Sequence, residues 1–159
     1  MGMHKRVLIA NRGEIAIRIA KAAHALGMET VSVYAPVDGQ ALHTRMTTHS
    51  AMLPTDGIAG YLEVAALVRI AEETGCDCVH PGYGFLSENS DFASALSAKG
   101  IAFVGPSPSA LRLFGDKVAA RKLAAELGIP TVSGSEGALS SASEAEAVAA
   151  SIGYPVMLL

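Results

Sequence analysis

The sequence predicts an α/β fold: a parallel sheet covered by helices on both faces. Three observations carry this. Short apolar runs alternate with segments whose apolar residues recur at helical spacing. The connections between runs are long enough for right-handed crossovers. The runs are also nearly continuous in apolar residues rather than alternating, as strands buried on both faces are.

The elements follow in order. Arg6 to Ala10 (RVLIA) is a short apolar strand. Asn11 is a candidate N-cap for the next helix, and Glu14, three residues on, makes a near capping box. Ile15, Ile19, Ala22, Ala23 and Leu26 share a helical spacing, and Gly27 closes that helix. Glu29 to Tyr34 reads as a second strand. Ala35 to Thr48 is polar and irregular, a surface loop with a short helical turn, and Ala51 to Pro54 is a short third strand. A helix is expected from Tyr61 to Thr74 and is stopped by Gly75. A strand follows at Cys76 to Val79, then a helix at Asp91 to Lys99 stopped by Gly100, then a strand at Ile101 to Val104.

Gly105-Pro106 breaks the alternation. Ser107 caps a short helix with Pro108 in its first position, and Asp116 caps a second, Lys117 to Leu127. Residues 133–142 form a Gly/Ser-rich loop. Ser143 and Glu146 make a capping box for a helix to Ile152, and Pro155 to Leu159 reads as a final apolar strand. A chain that stops in mid-strand is expected to be part of a longer protein.

Composition excludes several functions. The 159 residues are 50% hydrophobic and 5% aromatic with no Trp, so the expected core is aliphatic. A net charge of −3 leaves no basic footprint for nucleic acid and no polybasic run for an anionic membrane. No apolar stretch reaches the ~18 residues of a membrane span, and no secretory signal is visible. Cys76, Cys78 and His80 form C-x-C-x-H and would share one face of a strand. Zinc wants a fourth ligand and a wider turn, so the expectation is buried, reduced thiols in a cytoplasmic-type protein.

The most informative string is HPGYGFLSEN, His80 to Asn89, at a strand-to-helix junction. Ligands bind at that edge of an open α/β sheet. Gly82 and Gly84 free the backbone on both sides of Tyr83, and Pro81 fixes the approach. Glu88 and Asn89 are read as groups capping the next helix. A dinucleotide site is excluded, because Asn11-Arg12-Gly13-Glu14 stands where G-x-G-x-x-G is required. Glu14 would also compete with a phosphate for the helix start. No phosphate-binding G-x4-G-K-[ST] loop is present either.

ANRGEIAIR (Ala10 to Arg18), HPGYGFLSEN and FVGPSPSALRLFGDKVAARKLA (Phe103 to Ala124) together resemble the N-terminal part of biotin carboxylase. This is the ATP-grasp component of acyl-CoA and pyruvate carboxylases. The resemblance covers nearly the whole chain. It implies a Rossmann-like pre-ATP-grasp domain at 1–105, a helical connector at 106–130 and the truncated start of an ATP-grasp lid at 131–159. It implies a ligase that uses ATP, Mg2+ and bicarbonate to carboxylate biotin on a carrier domain, with a carboxyltransferase component as a further partner. Tyr83 and Gly84 match the segment lining the biotin pocket, and Lys117 matches a lysine on ATP phosphate. Arg18 falls on a helix used near the family's homodimer interface; read by itself, it is an exposed arginine.

Two departures stand out. The family's Ala-Asp-Glu-Ala element reads Met46-Thr47-Thr48-His49-Ser50-Ala51 here, without the acidic pair. A second ATP-binding lysine is replaced by Leu159, which has nothing to donate to phosphate. The expected metal-binding carboxylates and the base are not matched in these 159 residues, so no catalytic residue is assigned, no ligand is expected to bind tightly, and the chain alone is expected to be inactive. Two alternatives stay open: another ATP-grasp ligase, or a non-catalytic binding or assembly module suggested by Leu159.

Overall fold

The computed structural model describes residues 4–135, 137 and 139–157. Two compact units divide the chain, Met1–Leu111 and Arg112–Leu159.

The first unit is built on five strands: β1 (Arg6–Ile9), β2 (Glu29–Tyr34), β3 (His49–Met52), β4 (Cys78–His80) and β5 (Ala102–Phe103). Their order is β3-β2-β1-β4-β5, and every pair is parallel. The helices are α1 (Gly13–Ala25), α2 (Gly57–Tyr61), α3 (Val64–Glu73) and α4 (Ser90–Ala98). Alternation along the strands sorts the core into two sides. Leu8, Val31, Val33 and Val79 pack with Leu67 of α3 and with Phe92 and Leu96 of α4. On the opposite face, Ile9 packs with Ala16 and Ala20 of α1, and Val7 packs with Ala23 and Cys78.

Helix α1 buries a different stripe from the one its apolar spacing suggests. Ala16, Ala20 and Ala23 meet the sheet, because residues without long side chains let the helix approach it closely. Ile15 and Ile19 are half-buried and Leu26 is 67% exposed. They face an open apolar groove of about 670 Å3, whose floor includes Val7 and Cys78 and whose rim carries Arg18. The sheet is therefore not evenly covered on that side among the described residues.

The expected aliphatic core needs amending. Most of it is aliphatic, but the two largest fully buried side chains are Tyr61 and Phe92. Few aromatics are present, and two of them sit at the centre. The helix expected from Tyr61 to Thr74 is two helices. α2 ends at Tyr61, α3 begins at Val64, and the break turns the Tyr61 ring into the core. Two 3₁₀ turns, Pro36–Asp38 and Leu42–Arg45, occupy the expected surface loop, and His43 from the second is 1% exposed. In the segment that lacks an acidic pair, Thr48 exchanges hydrogen bonds with Thr30 instead. The Thr48 Oγ1 accepts from Thr30 N (3.1 Å), and Thr48 N donates to Thr30 Oγ1 (3.0 Å).

The second unit holds α6 (Lys117–Glu126) and α7 (Ala142–Ile152); α5 (Pro108–Gly115) runs up to it across the unit boundary. Asp116 caps α6 as expected, its Oδ1 accepting from Val118 N and Ala119 N. The capping box of α7 lies two residues earlier than expected. Ser141 Oγ accepts from Glu144 N, and Glu144 Oε2 accepts from Ser140 N. Ser140 and Ser141 supply both halves of the exchange, so the helix starts before Ser143. Residues 155–157 form no paired strand, and the rest of that expected strand, with Leu159, lies outside the described residues.

Candidate functional site

Strand order reverses direction between β1 and β4, so the chain leaves the sheet in opposite senses there and a crevice opens at their carboxyl ends. Two loops meet in it: Asn11-Arg12 after β1, and Pro81 to Asn89 after β4. Ala10 N donates to His80 O across the strand ends (3.0 Å).

Asn11 is fully buried and does not cap α1. Arg12 is the N-cap residue, without a side-chain bond. The Asn11 amide is used across the crevice instead. Its Nδ2 donates to Pro81 O (2.7 Å) and Tyr83 O (3.0 Å), and its Oδ1 accepts from Arg12 N (2.9 Å). The loop after β4 is tightly wound. Gly82, Gly84 and Phe85 all have positive φ, at 69°, 68° and 44°. Glycine reaches that region freely, as the flanking positions of Tyr83 require. Gly82 N donates to His80 Nδ1 (3.0 Å), which leaves that ring nitrogen as an acceptor. Burial pushes the His80 pKa down, in keeping with a neutral ring.

Tyr83 stands 67% exposed at the crevice mouth, its hydroxyl donating to Glu14 Oε1 (3.1 Å). That bond to a carboxylate raises the phenol pKa. Residues Asn11 to Ile15 and Tyr83 to Phe85 line an open pocket of about 400 Å3. A Cβ built on Gly84 would meet nothing within 4 Å, so the backbone there faces open space. An exposed ring beside an open backbone can offer a ligand a packing face and a close approach to the main chain.

Beneath the loop lies a polar network. Arg12 Nη1 pairs with Asp38 Oδ2 (3.0 Å), and the Tyr61 hydroxyl donates to the same carboxylate oxygen (2.7 Å). Ala35 N donates to Tyr61 Oη (3.1 Å). The Arg12 guanidinium sits 5.7 Å from the Tyr61 ring centroid, and Phe85 stacks on that ring at 5.3 Å. Partial burial works to raise Asp38, but the Tyr61 hydroxyl and Arg12 outweigh it and hold its carboxyl below the ordinary value.

The other expected residues fall as follows. Asn89 caps α4, its Oδ1 accepting from Phe92 N (2.8 Å), while Glu88 is exposed and caps nothing. Arg18 is exposed. Lys117, in the other unit, is the exposed first residue of α6. Cys76 and Cys78 are buried free thiols. They do not share a face as a continuous strand would place them: Cys76 precedes β4 and joins the core under α3 and α4, whereas Cys78 packs under α1. Burial pushes the Cys78 thiol up to about 12. Among the described residues, His4, Asp77 and Cys78 bring ligand atoms within 4.8 Å of one another. Asp77 accepts from Lys5 N and Arg6 N (2.8 and 3.2 Å), which ties the start of β4 to the start of β1.

Sequence reasoning missed Asn11, Asp38 and Tyr61. A signal for the first was present: an Asn directly after an apolar strand is placed at the ligand edge of the sheet. Asp38 and Tyr61 lie 23 residues apart and carry no joint pattern.

Buried His43 and half-buried His80 set a pH dependence. Burial lowers the folded pKa of His43 and His80 below the ordinary 6.5. Their contribution is fully present above that value, and it is lost as the unfolded chain takes up protons that the folded chain refuses. Urea unfolding is expected to show stability falling as pH drops from about 6.5, with a further loss below about 3.8, where the unfolded chain protonates the carboxyls of Asp38 and Asp77 that the folded chain holds ionised. Stability that rises on acidification from neutral pH would contradict the assignment.

Comparison with known proteins adds the following. The family model "Biotin carboxylase, N-terminal domain" matches residues 3–111, and "Carbamoyl-phosphate synthase L chain, ATP binding domain" matches residues 116–159. The biotin carboxylase of Pseudomonas aeruginosa is 44% identical over 158 residues, 98% of this chain and 35% of that one. The biotin carboxylase domain of a single-chain bacterial carboxylase superposes with a TM-score of 0.91 at 51% identity, over 98% of this chain and 36% of that one. The biotin carboxylase domain dimer of Hydrogenobacter thermophilus 2-oxoglutarate carboxylase, in complex with MgADP, ADP and bicarbonate, does so at 0.93 and 41%, over 98% and 34%. The chain spans about a third or less of the length of the curated relatives it matches. No helix among the described residues is long and apolar enough to cross a membrane.

Proposed function

We propose, for a chain that belongs to the family of biotin carboxylase N-terminal domains, that it forms one wall of the biotin pocket of an ATP- and bicarbonate-dependent biotin carboxylase. The observation that carries this reading is the Tyr83–Gly84 pair, an exposed ring and an open backbone at the switch point of the sheet. Tyr83 offers a face for the bicyclic ureido ring of biotin, and Gly84 lets the ligand approach the main chain.

The rest of the reading follows the family. Residues 1–105 are the pre-ATP-grasp domain, 106–130 the connector and 131–159 the start of the lid. Lys117 contacts ATP phosphate through its ammonium group. The Asp116 carboxylate occupies the amides at the start of α6, so the side chain, not the helix end, makes the contact. Mg2+ supplies charge neutralisation at the transferring phosphoryl group. The partners are a biotin carrier domain, a carboxyltransferase component and a second copy of the enzyme, in a reducing compartment such as the cytoplasm.

In this reading the 159 residues position and enclose, and the groups that act on bicarbonate and biotin lie elsewhere in the longer enzyme. The chain alone is expected to show no bicarbonate-dependent ATP hydrolysis. Turnover by a clean preparation would overturn that division of labour. In a chain extended to the length of its relatives, Tyr83→Ala is expected to raise the KM for free biotin by a factor of about 2 to 10, the equivalent of ~0.5–1.5 kcal/mol of ring packing. The kcat should be nearly unchanged. An unaltered KM would remove Tyr83 from the pocket.

A further inference from the structure

We infer that Asn11 is a positioning residue, whose buried amide fixes the Tyr83–Gly84 wall against the end of β1. This rests on the biotin wall proposed above and adds what holds that wall in place. A buried amide is tolerated only when its donors and acceptor are satisfied. Asn11 meets that condition entirely through the crevice. Both amide hydrogens go to carbonyls of the same loop, Pro81 O and Tyr83 O, on either side of Gly82. The oxygen is held by Arg12 N, so the amide has one workable orientation. Flipped, its oxygen would face two carbonyl oxygens.

Two further contacts tie the same loop to the same turn. Glu14 accepts the Tyr83 hydroxyl, so both the backbone carbonyl and the phenol of Tyr83 are tethered to residues of the α1 start. Gly82 makes the close approach possible. A Cβ there would stand 2.6 Å from Ile15 Cγ2 and 2.8 Å from Asn11 Nδ2. The glycine is thus required twice, by its positive φ and by the amide lodged against it. The Asn11 side chain bonds to the main-chain carbonyls of the loop and leaves the Tyr83 ring face free. A ligand then meets a surface already ordered, without the entropy cost of fixing a mobile loop on binding.

The test uses the 159-residue chain with its tyrosines isotope-labelled for NMR. In the wild type, the Tyr83 phenol is expected to titrate above the ordinary 10.0 because it is bonded to Glu14. In Asn11→Ala the loop should come free. Tyr83 should then titrate nearer the ordinary value, and the amides of Tyr83 to Phe85 should exchange about tenfold faster or more, while those of Leu8 and Val79 keep their protection. A residue serving only overall stability would loosen all of these together and leave the phenol where it was. Unchanged Tyr83 titration and exchange would overturn the inference.

If Asn11→Ala does not fold, Asn11→Asp takes its place. It keeps the side-chain volume and the acceptor for Arg12 N but removes both donors to Pro81 O and Tyr83 O, and the same release of Tyr83 is expected, with an undisturbed Tyr83 again counting against. A separate arm adds free biotin at millimolar concentration. Gly84 should shift in the wild type and shift several-fold less in the variant. No shift in the wild type would count against the biotin wall itself, and the loop measurements would still decide the role of Asn11.

Discussion

Replacing Tyr61 with Ala is expected to lower the unfolding free energy of the first unit by ~3–5 kcal/mol. The ring is fully buried, stacked on Phe85 and covered by the Arg12 guanidinium, so truncation leaves a large cavity. It also strips a donor from Asp38 and an acceptor from Ala35 N. Tyr61→Phe separates the two effects. It keeps the ring and removes the hydroxyl, and should cost about 1–3 kcal/mol, the range for leaving a buried polar group unpaired. The Asp38 pKa should rise in the same variant, because the lost hydroxyl was one of the groups lowering it. Urea unfolding and a titration of the Asp38 carboxyl by NMR measure both. If the Phe variant were as unstable as the Ala variant, the hydroxyl network rather than the ring would carry the site.

Phe92→Ala should be comparably severe, at ~3–5 kcal/mol. Phe92 is fully buried and meets the edge of Phe103 at 6.0 Å and 83°, which fastens α4 over β5. Phe92→Leu keeps most of the volume and should cost less than about 1.5 kcal/mol. Strand β5 has only two residues and one neighbour, β4, so this packing adds to its few backbone bonds. Hydrogen exchange in Phe92→Ala should rise first at Val104 N, which bonds to Val79 O, while Leu8 in the central strand stays protected. Uniform loss of protection across the sheet would show that β5 is not a separate weak edge.

Much of the fold was legible in the sequence because its signals are local. The strand and helix order, the glycine stops at Gly27, Gly75 and Gly100, and the Asp116 cap each depend on a few adjacent residues. Errors appeared where distant residues compete for a group. Asn11 has the residue type of a helix cap, but two carbonyls about 70 positions away take its amide. Tyr61 looked like the first residue of one long helix, yet its hydroxyl and ring are drawn into the core, and the helix breaks there. The spacing of Ile15, Ile19 and Leu26 marked an apolar face correctly, but the alanine stripe lies closer to the sheet and leaves that face to the groove.

For the candidate site, the string His80 to Asn89 named the loop, and its glycines foretold the free backbone at Gly82 and Gly84, though not the positive φ of Phe85. By itself, then, the sequence determined the α/β class, the parallel strands and the residues that present a ring and an open backbone, because backbone preference and apolar spacing act over short range. Only the tertiary structure decided that β1 lies beside β4, and hence that Asn11 and Glu14 hydrogen-bond to Tyr83. That choice follows from which strands pair, a matter of burial across the whole sheet that no ten-residue window contains.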